Sequence, residues 1–185
     1  MLFEAFAIAF TSVGGYEIAQ YFIGQRRRLK SFKKARYHAD CNNKPLLVVG
    51  APLAPGFSPA RLLNSPHHPC GDITTDICEE NLKLYRNTMV ADIRCLPFRD
   101  KAFGASYCSH VLEHLHTVKD AKIAIKELQR VADSAHIVVP SKLSIVEWVC
   151  PGHFLWLKEN GNCKYIIKQR RRPLLTYLRD KHIIS

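Results

Sequence analysis

The sequence predicts an α/β fold: a doubly wound, mainly parallel sheet preceded by an N-terminal hydrophobic helix. Three observations predict it. Short apolar runs that end in Gly or Pro, such as "PLLVVGAP" at 45–52, have the composition of buried parallel strands. The segment "VKDAKIAIKELQRV" (118–131) spaces its apolar residues at the helical period. Strand-like and helix-like segments alternate from 45 to 141, the order that gives a parallel sheet with helices on its faces. The 185 residues suffice for one domain with a full core. A chain with 47% hydrophobic and 23% charged residues folds rather than staying disordered.

Residues 1–25 contain no Lys or Arg and run directly into "RRRLKSFKK". The stretch from Leu2 to Gly24 is long enough to span a bilayer, which takes about 20 residues. The basic cluster would keep the following domain on the cytoplasmic or equivalent side. The expectation is a single-pass membrane anchor through residues 2–24; the alternative is an amphipathic or core helix of a cytoplasmic protein. A cleaved signal peptide does not fit, because its first residues should be positive. Ala7, Thr11, Gly15 and Ala19 recur every fourth residue, a small-residue stripe that lets other membrane-protein helices approach closely. Glu4 and Glu17 are costly in hydrocarbon, and Glu17 calls for a protein partner.

Residues 26–44 read as a basic, partly helical linker, 45–163 as the folded body and 164–185 as a basic C-terminal segment. The first strand is 45–52, followed by a Pro-, Ser- and Gly-rich loop at 54–71. "DITTDI" (72–77) is a short strand, and Met89 to Asp92 holds another. "ASYCSHVL" (105–112) is strand running into helix. The helix at 118–131 leads to the strand "AHIVVPS" (135–141), stopped by Pro140.

The net charge of +11 is uneven. Residues 37–163 carry 13 basic and 13 acidic side chains, so the excess lies in the two flanks. Basic flanks suit anionic lipid or nucleic acid. The tail "KYIIKQRRRPLL" has little aromatic interleaving and no nucleic-acid motif, so nucleic acid is a weakly supported partner. The seven cysteines form no C-x-x-C pair and match no disulfide or zinc framework. They read as buried thiols in a reducing compartment.

In a wound sheet, ligands bind in the loops beyond the carboxyl ends of the strands. Here those loops begin at Gly50, Asp76, Asp92 and His110. Glycine admits close backbone approach, one carboxylate can take ribose hydroxyls, and a further polar group can take an adenine amine.

At this point "ADIRCLPFRDKAFGASYCSHVLEHL", followed by "AIKELQRVADSAHIVVPS", resembles the class I S-adenosylmethionine-dependent methyltransferases, in particular the ubiquinone-biosynthesis-like group. The resemblance runs from about Pro45 to Leu157. It implies a Rossmann-like doubly wound sheet and S-adenosylmethionine as cofactor. It further implies a cofactor site of Gly50, Ala51, Asp76, Asp92, Ile93, Ser109 and His110, with Asp92 near the adenine, Ile93 covering it and Asp76 on the ribose. Two positions depart from the family pattern. Val48 stands where the family has an acid, and Pro52 where it has a second glycine. Proline removes an amide donor and fixes φ, so the loop cannot copy the usual approach to the methionine part. Gly56 could supply a substitute turn, and "CKYIIKQ" one strand of the family's final hairpin.

His110, Glu113, His114 and His153 are the candidate acid/base groups. Two functions follow: methyl transfer to an acceptor that the sequence does not identify, or an inactive methyltransferase-fold accessory subunit of a membrane complex. "HVLEH" (110–114) also matches H-x-x-E-H, whose histidines share a metal on a helix. The surrounding pattern accounts for these residues without one, so no metal is expected. Trp148, His153 and Trp156 are read either as an aromatic lid over the substrate or as packing against the sheet edge.

Overall fold

The computed structural model describes residues 2–51, 70–83, 85–160 and 165–170, with helix side chains from residue 12 onward. Five strands form the central sheet: β1 (Leu46–Val49), β2 (Ile73–Asp76), β3 (Thr88–Val90), β4 (Phe103–Ser109) and β5 (Ala132–Val138). Their order is β3-β2-β1-β4-β5 and every pairing is parallel. The chain winds outward from β1 in one direction and from β4 in the other. The switch point, and with it the ligand crevice, therefore lies beyond the ends of β1 and β4.

β1 and β4 are buried along their whole length. Ser106 is tolerated in β4 because its hydroxyl donates to the Leu128 carbonyl at 3.1 Å. β4 and β5 begin earlier than the sequence pattern suggests. Phe103 pairs with Ala132 at the start of the ladder. The polar residues that obscure the start of β5 are satisfied there: Asp133 by Lys44 at 2.8 Å, and Ser134 by the Gly104 carbonyl at 3.3 Å.

α1 (Leu2–Cys41) packs on one face of the sheet, and α3 (Val118–Val131) on the other. α2 is the single turn Glu79–Leu82. α3 is capped by the Thr117 side chain, which accepts from the Asp120 amide, and it buries Ala121, Ala124, Ile125, Leu128 and Val131 along one stripe. After β4 comes a short 3₁₀ turn, Leu112–His114, and after β5 the short helix α4 (Ile145–Val149). β6 (Leu155–Glu159) pairs antiparallel with β7 (Tyr165–Gln169), the hairpin to which "CKYIIKQ" was assigned.

α1 runs on through most of the segment read as a partly helical linker, 26–44. The helix is unbroken for 40 residues, about 60 Å. Arg28, Ser31, Phe32, Ala35 and Ala39 turn inward at helical spacing, and Ala35 and Ala39 are fully buried. The approach is close because Gly104 has no side chain: a Cβ there would lie 2.7 Å from Ala39 Cα. Phe32 meets Tyr107 edge-to-face with centroids 5.4 Å apart.

The membrane anchor at 2–24 finds no support. No helix among the described residues is long and apolar enough to cross a membrane. Polar groups of this stretch bind the domain instead. The Tyr16 hydroxyl donates to the Leu143 carbonyl (2.7 Å), and Glu17 accepts from Ser144 Oγ (2.8 Å) and the Ile145 amide (2.6 Å). Gly15 and Ala19 of the small-residue stripe face outward. Ala7 and Thr11 lie outside the described side chains.

Candidate functional site

Two cavities flank the end of β4. The smaller, about 320 Å³, is lined by Gly50, Asp76, Asp92, Ile93, Val111 and His114, among others. The larger, about 570 Å³, lies between α1 and the segments after β4 and β5; its walls include Tyr21, Phe22, Arg28, His110, Val139 and Glu147. Thus three of the four loop starts that sequence places at one crevice meet there. His110 instead faces the neighbouring chamber.

Gly50 ends β1 at φ 89°, a conformation that favours glycine. Its amide donates to the Thr75 carbonyl at 2.8 Å, and a Cβ would sit 2.2 Å from Val111 Cγ2. Glycine is therefore required by sterics as well as by φ. Ala51 is buried and lines neither cavity; its amide donates to Asp76 Oδ2 at 2.8 Å. Asp76 Oδ1 accepts from the Cys78 amide and Asn81 Nδ2. These bonds hold the Asp76 carboxylate at the cavity wall and still leave it one acceptor position. Pro52 and Gly56 lie outside the described residues.

Asp92 differs from expectation. Both its oxygens accept from Arg94, with Nη2 at 2.6 Å and Nε at 3.0 and 3.1 Å, and Oδ1 also accepts from the Arg94 amide. Hydrogen bonding to this guanidinium holds the carboxyl below its ordinary range. Three N–H groups of Arg94 occupy it, with Nε shared between the two oxygens, so one acceptor position at most remains for an adenine amine. Ile93 is buried beside it on the cavity wall. Ser109 is buried at the end of β4 and lines neither cavity.

His110 has φ 57°, uncommon for a residue with a side chain, and its amide donates to the Val138 carbonyl. The bend breaks the H-x-x-E-H motif. His110 stands on the strand end and His114 in a 3₁₀ turn, so the pair does not share one face of an α-helix. The four acid/base candidates nonetheless come together. His110 Nδ1 is 3.5 Å from Glu113 Oε1, and the His114 and His153 rings meet edge-to-face at 4.8 Å. Glu113 is only 1% exposed, and burial pushes its carboxyl up to about 8, with Glu147 adding to the rise. Burial likewise lowers the pKa of His114.

Sequence reasoning missed two members of this group. Glu147, in an otherwise apolar stretch, reaches within 3.1 Å of His153 Nδ1. Arg28, one of a basic run, is turned inward by α1, and burial lowers its pKa. The inward spacing of 28, 32, 35 and 39 is the signal that would have found it. Trp148 and Trp156 pack against each other at 4.8 Å, with Arg170 5.2 Å from the Trp156 ring centroid, and line neither cavity.

Residues 60–138 match a protein family described as a methyltransferase domain. Among solved structures, the YcgJ protein of Bacillus subtilis is 23% identical, with 58% of this chain and 46% of that one covered and a TM-score of 0.37. The PH0226 protein of Pyrococcus horikoshii is 15% identical over 85% and 81%, with a TM-score of 0.43. A SAM-dependent methyltransferase of Thermotoga maritima, described as a possible histamine N-methyltransferase, is 15% identical over 63% and 56%, with a TM-score of 0.31. The chain thus spans about half the length of the first and third of these proteins. No curated protein matches it.

Proposed function

We propose that this chain is a class I S-adenosylmethionine-dependent methyltransferase that transfers a methyl group to an acceptor held in the larger cavity; the match of residues 60–138 to a methyltransferase domain supports the reading. The carrying observation is that two cavities of unequal character meet at the end of β4, with His110 on one and Val111 on the other. The residues of the smaller one suit the cofactor. Gly50 admits close backbone approach, Asp76 has an acceptor position for a ribose hydroxyl, and Ile93 would cover a ring. Asp92 would join them through the acceptor position that Arg94 leaves open. S-adenosylmethionine, when bound, supplies an electrophilic methyl group, so the protein's task is chiefly to position the acceptor. The larger cavity has apolar walls from Tyr21, Phe22 and Val139 and polar groups from His110, Glu147 and Arg28. This suits an apolar acceptor with its nucleophile at one polar end.

Calorimetric titration of the full chain with S-adenosylmethionine tests the reading. Saturable one-to-one binding supports an enzyme. A folded chain that takes up no cofactor supports the alternative, an inactive methyltransferase-fold subunit.

A second observation bears on location. α1 exposes Val13, Ile18, Phe22 and Ile23, with exposed Arg26, Arg27 and Lys30 following. Apolar side chains next to cations favour attachment to an anionic bilayer surface rather than passage through it. Co-sedimentation with phosphatidylserine vesicles, absent with neutral ones, is the expected result.

A further inference from the structure

We infer that Glu113, His114 and His153 form a binding site for a divalent first-row transition cation, at the wall between the two cavities. One ligand atom from each lies within 4.8 Å of the others. Ligands around a zinc-sized ion stand about 3.4 Å apart, so side-chain rotations of an ångström or so close the set.

The unsatisfied atoms carry the inference. Glu113 Oε1 and Oε2 and His153 Nδ1 are all buried, and no other residue hydrogen-bonds them; only Glu113's own amide reaches its carboxylate. Glu147 Oε2 is 3.1 Å from that nitrogen but out of line for a hydrogen bond. Buried polar groups are rarely left this way, and three acceptor-capable atoms in one cluster suit coordination of a cation. Protonating Glu113 does not resolve it, since the acid's O–H would need an acceptor. His110 Nδ1 is 3.5 Å from Oε1, too long for a good hydrogen bond. Arg28 lies in the neighbourhood, but no ion pair among the described residues joins it to Glu113, and its own Nε is unpartnered.

The surroundings have the form of a metal site's outer shell. His114 Nδ1 is 2.9 Å from the Gly152 carbonyl, the contact that fixes a ligand ring and leaves Nε2 for a metal. Two imidazoles and one carboxylate suit zinc, cobalt, iron or manganese rather than calcium or magnesium, which prefer oxygen ligands. His114 lines the smaller cavity, and Glu147 and His110 the larger. An ion here has positions left for an oxygen of whatever occupies the larger chamber. The site is independent of whether methyl transfer occurs.

The test uses the full chain, stripped with chelator and titrated calorimetrically with Zn²⁺, Mn²⁺ and Mg²⁺, and with Co²⁺ followed by its visible absorption. One equivalent of Zn²⁺ or Co²⁺ should bind, with Mg²⁺ much weaker. His153→Ala and Glu113→Gln should each weaken Zn²⁺ binding by about a hundredfold. His116→Ala, whose ring stacks on Phe154 outside the cluster, should leave it unchanged. Should Glu113→Gln fail to fold, His153→Ala and His114→Ala decide. The inference is overturned if the folded chain binds none of these ions. It is equally overturned if binding survives the substitutions, or if the Co²⁺ spectrum shows thiolate ligation.

Discussion

Acid should loosen the contact between α1 and the sheet through one imidazole. His136 Nε2 on β5 lies 3.2 Å from His38 Nδ1 on α1, and Ser134 Oγ is 3.1 Å from the same His38 nitrogen. Burial, then the neighbouring His38 and Lys34, lower the pKa of His136 from 6.5 to about 4. A base whose pKa falls on folding stabilises the native state above its unfolded pKa, and that stabilisation is lost as pH drops toward the folded value. Between pH 7 and 5 the full displacement amounts to about 2 kcal/mol. The ring is partly solvent-accessible, so we halve this to about 1 kcal/mol. The assay is urea unfolding of the native chain and His136→Gln at both pH values. With an m-value of about 2 kcal/mol/M, the native midpoint should fall about 0.5 M further than the variant's. The remaining titrating groups are common to both proteins, so the difference reports His136 together with its coupling to His38. Equal falls would refute the reasoning.

Three other substitutions probe the crevice and its support. Gly50→Ala forces φ 89° on a residue with a Cβ and drives it into Val111; it should cost about 2 kcal/mol, read as a lower Tm, and abolish S-adenosylmethionine binding by calorimetry. Arg94→Ala removes an exposed ion pair, so stability should change by less than about 1 kcal/mol. With Asp92 released, cofactor binding should tighten several-fold, and weaker binding would count against Asp92 as an adenine partner. Arg130 donates to the carbonyls of Leu96 and Phe98 and to Asp100 and Glu127. Arg130→Ala should cost about 2 kcal/mol in urea unfolding, and Arg130→Lys should recover little because the fork of donors is lost.

The elements legible in the sequence were those whose periodicity comes from large apolar residues. "LLVV" and "VKDAKIAIKELQRV" announce a buried strand and a one-sided helix; the helix forms at its predicted bounds, and the strand ends three residues before position 52. The second half of α1 was illegible because its buried stripe consists of Arg28, Ser31, Ala35 and Ala39 around a single Phe32. Alanine buries little area, and the charged residues on the outer face dominate the composition. The candidate site was half legible. The spacing of 110, 113 and 114 is local, whereas the approach of His153 and Glu147 depends on how the chain returns after β5. The pairing of Asp92 with Arg94 is a rotamer choice that no motif encodes.

α1 is fixed at two levels, by the backbone contact at Ala39 and Gly104 and by Glu17 about 33 Å further along the axis. Between them it behaves as a rigid shaft whose phase is set at one end and used at the other. Inserting a single residue near position 30 would turn the far end by about 100° and advance it by about 1.5 Å. Tyr21 and Phe22 would then leave the chamber and Glu17 would miss Ser144, although no residue of the chamber itself had been changed.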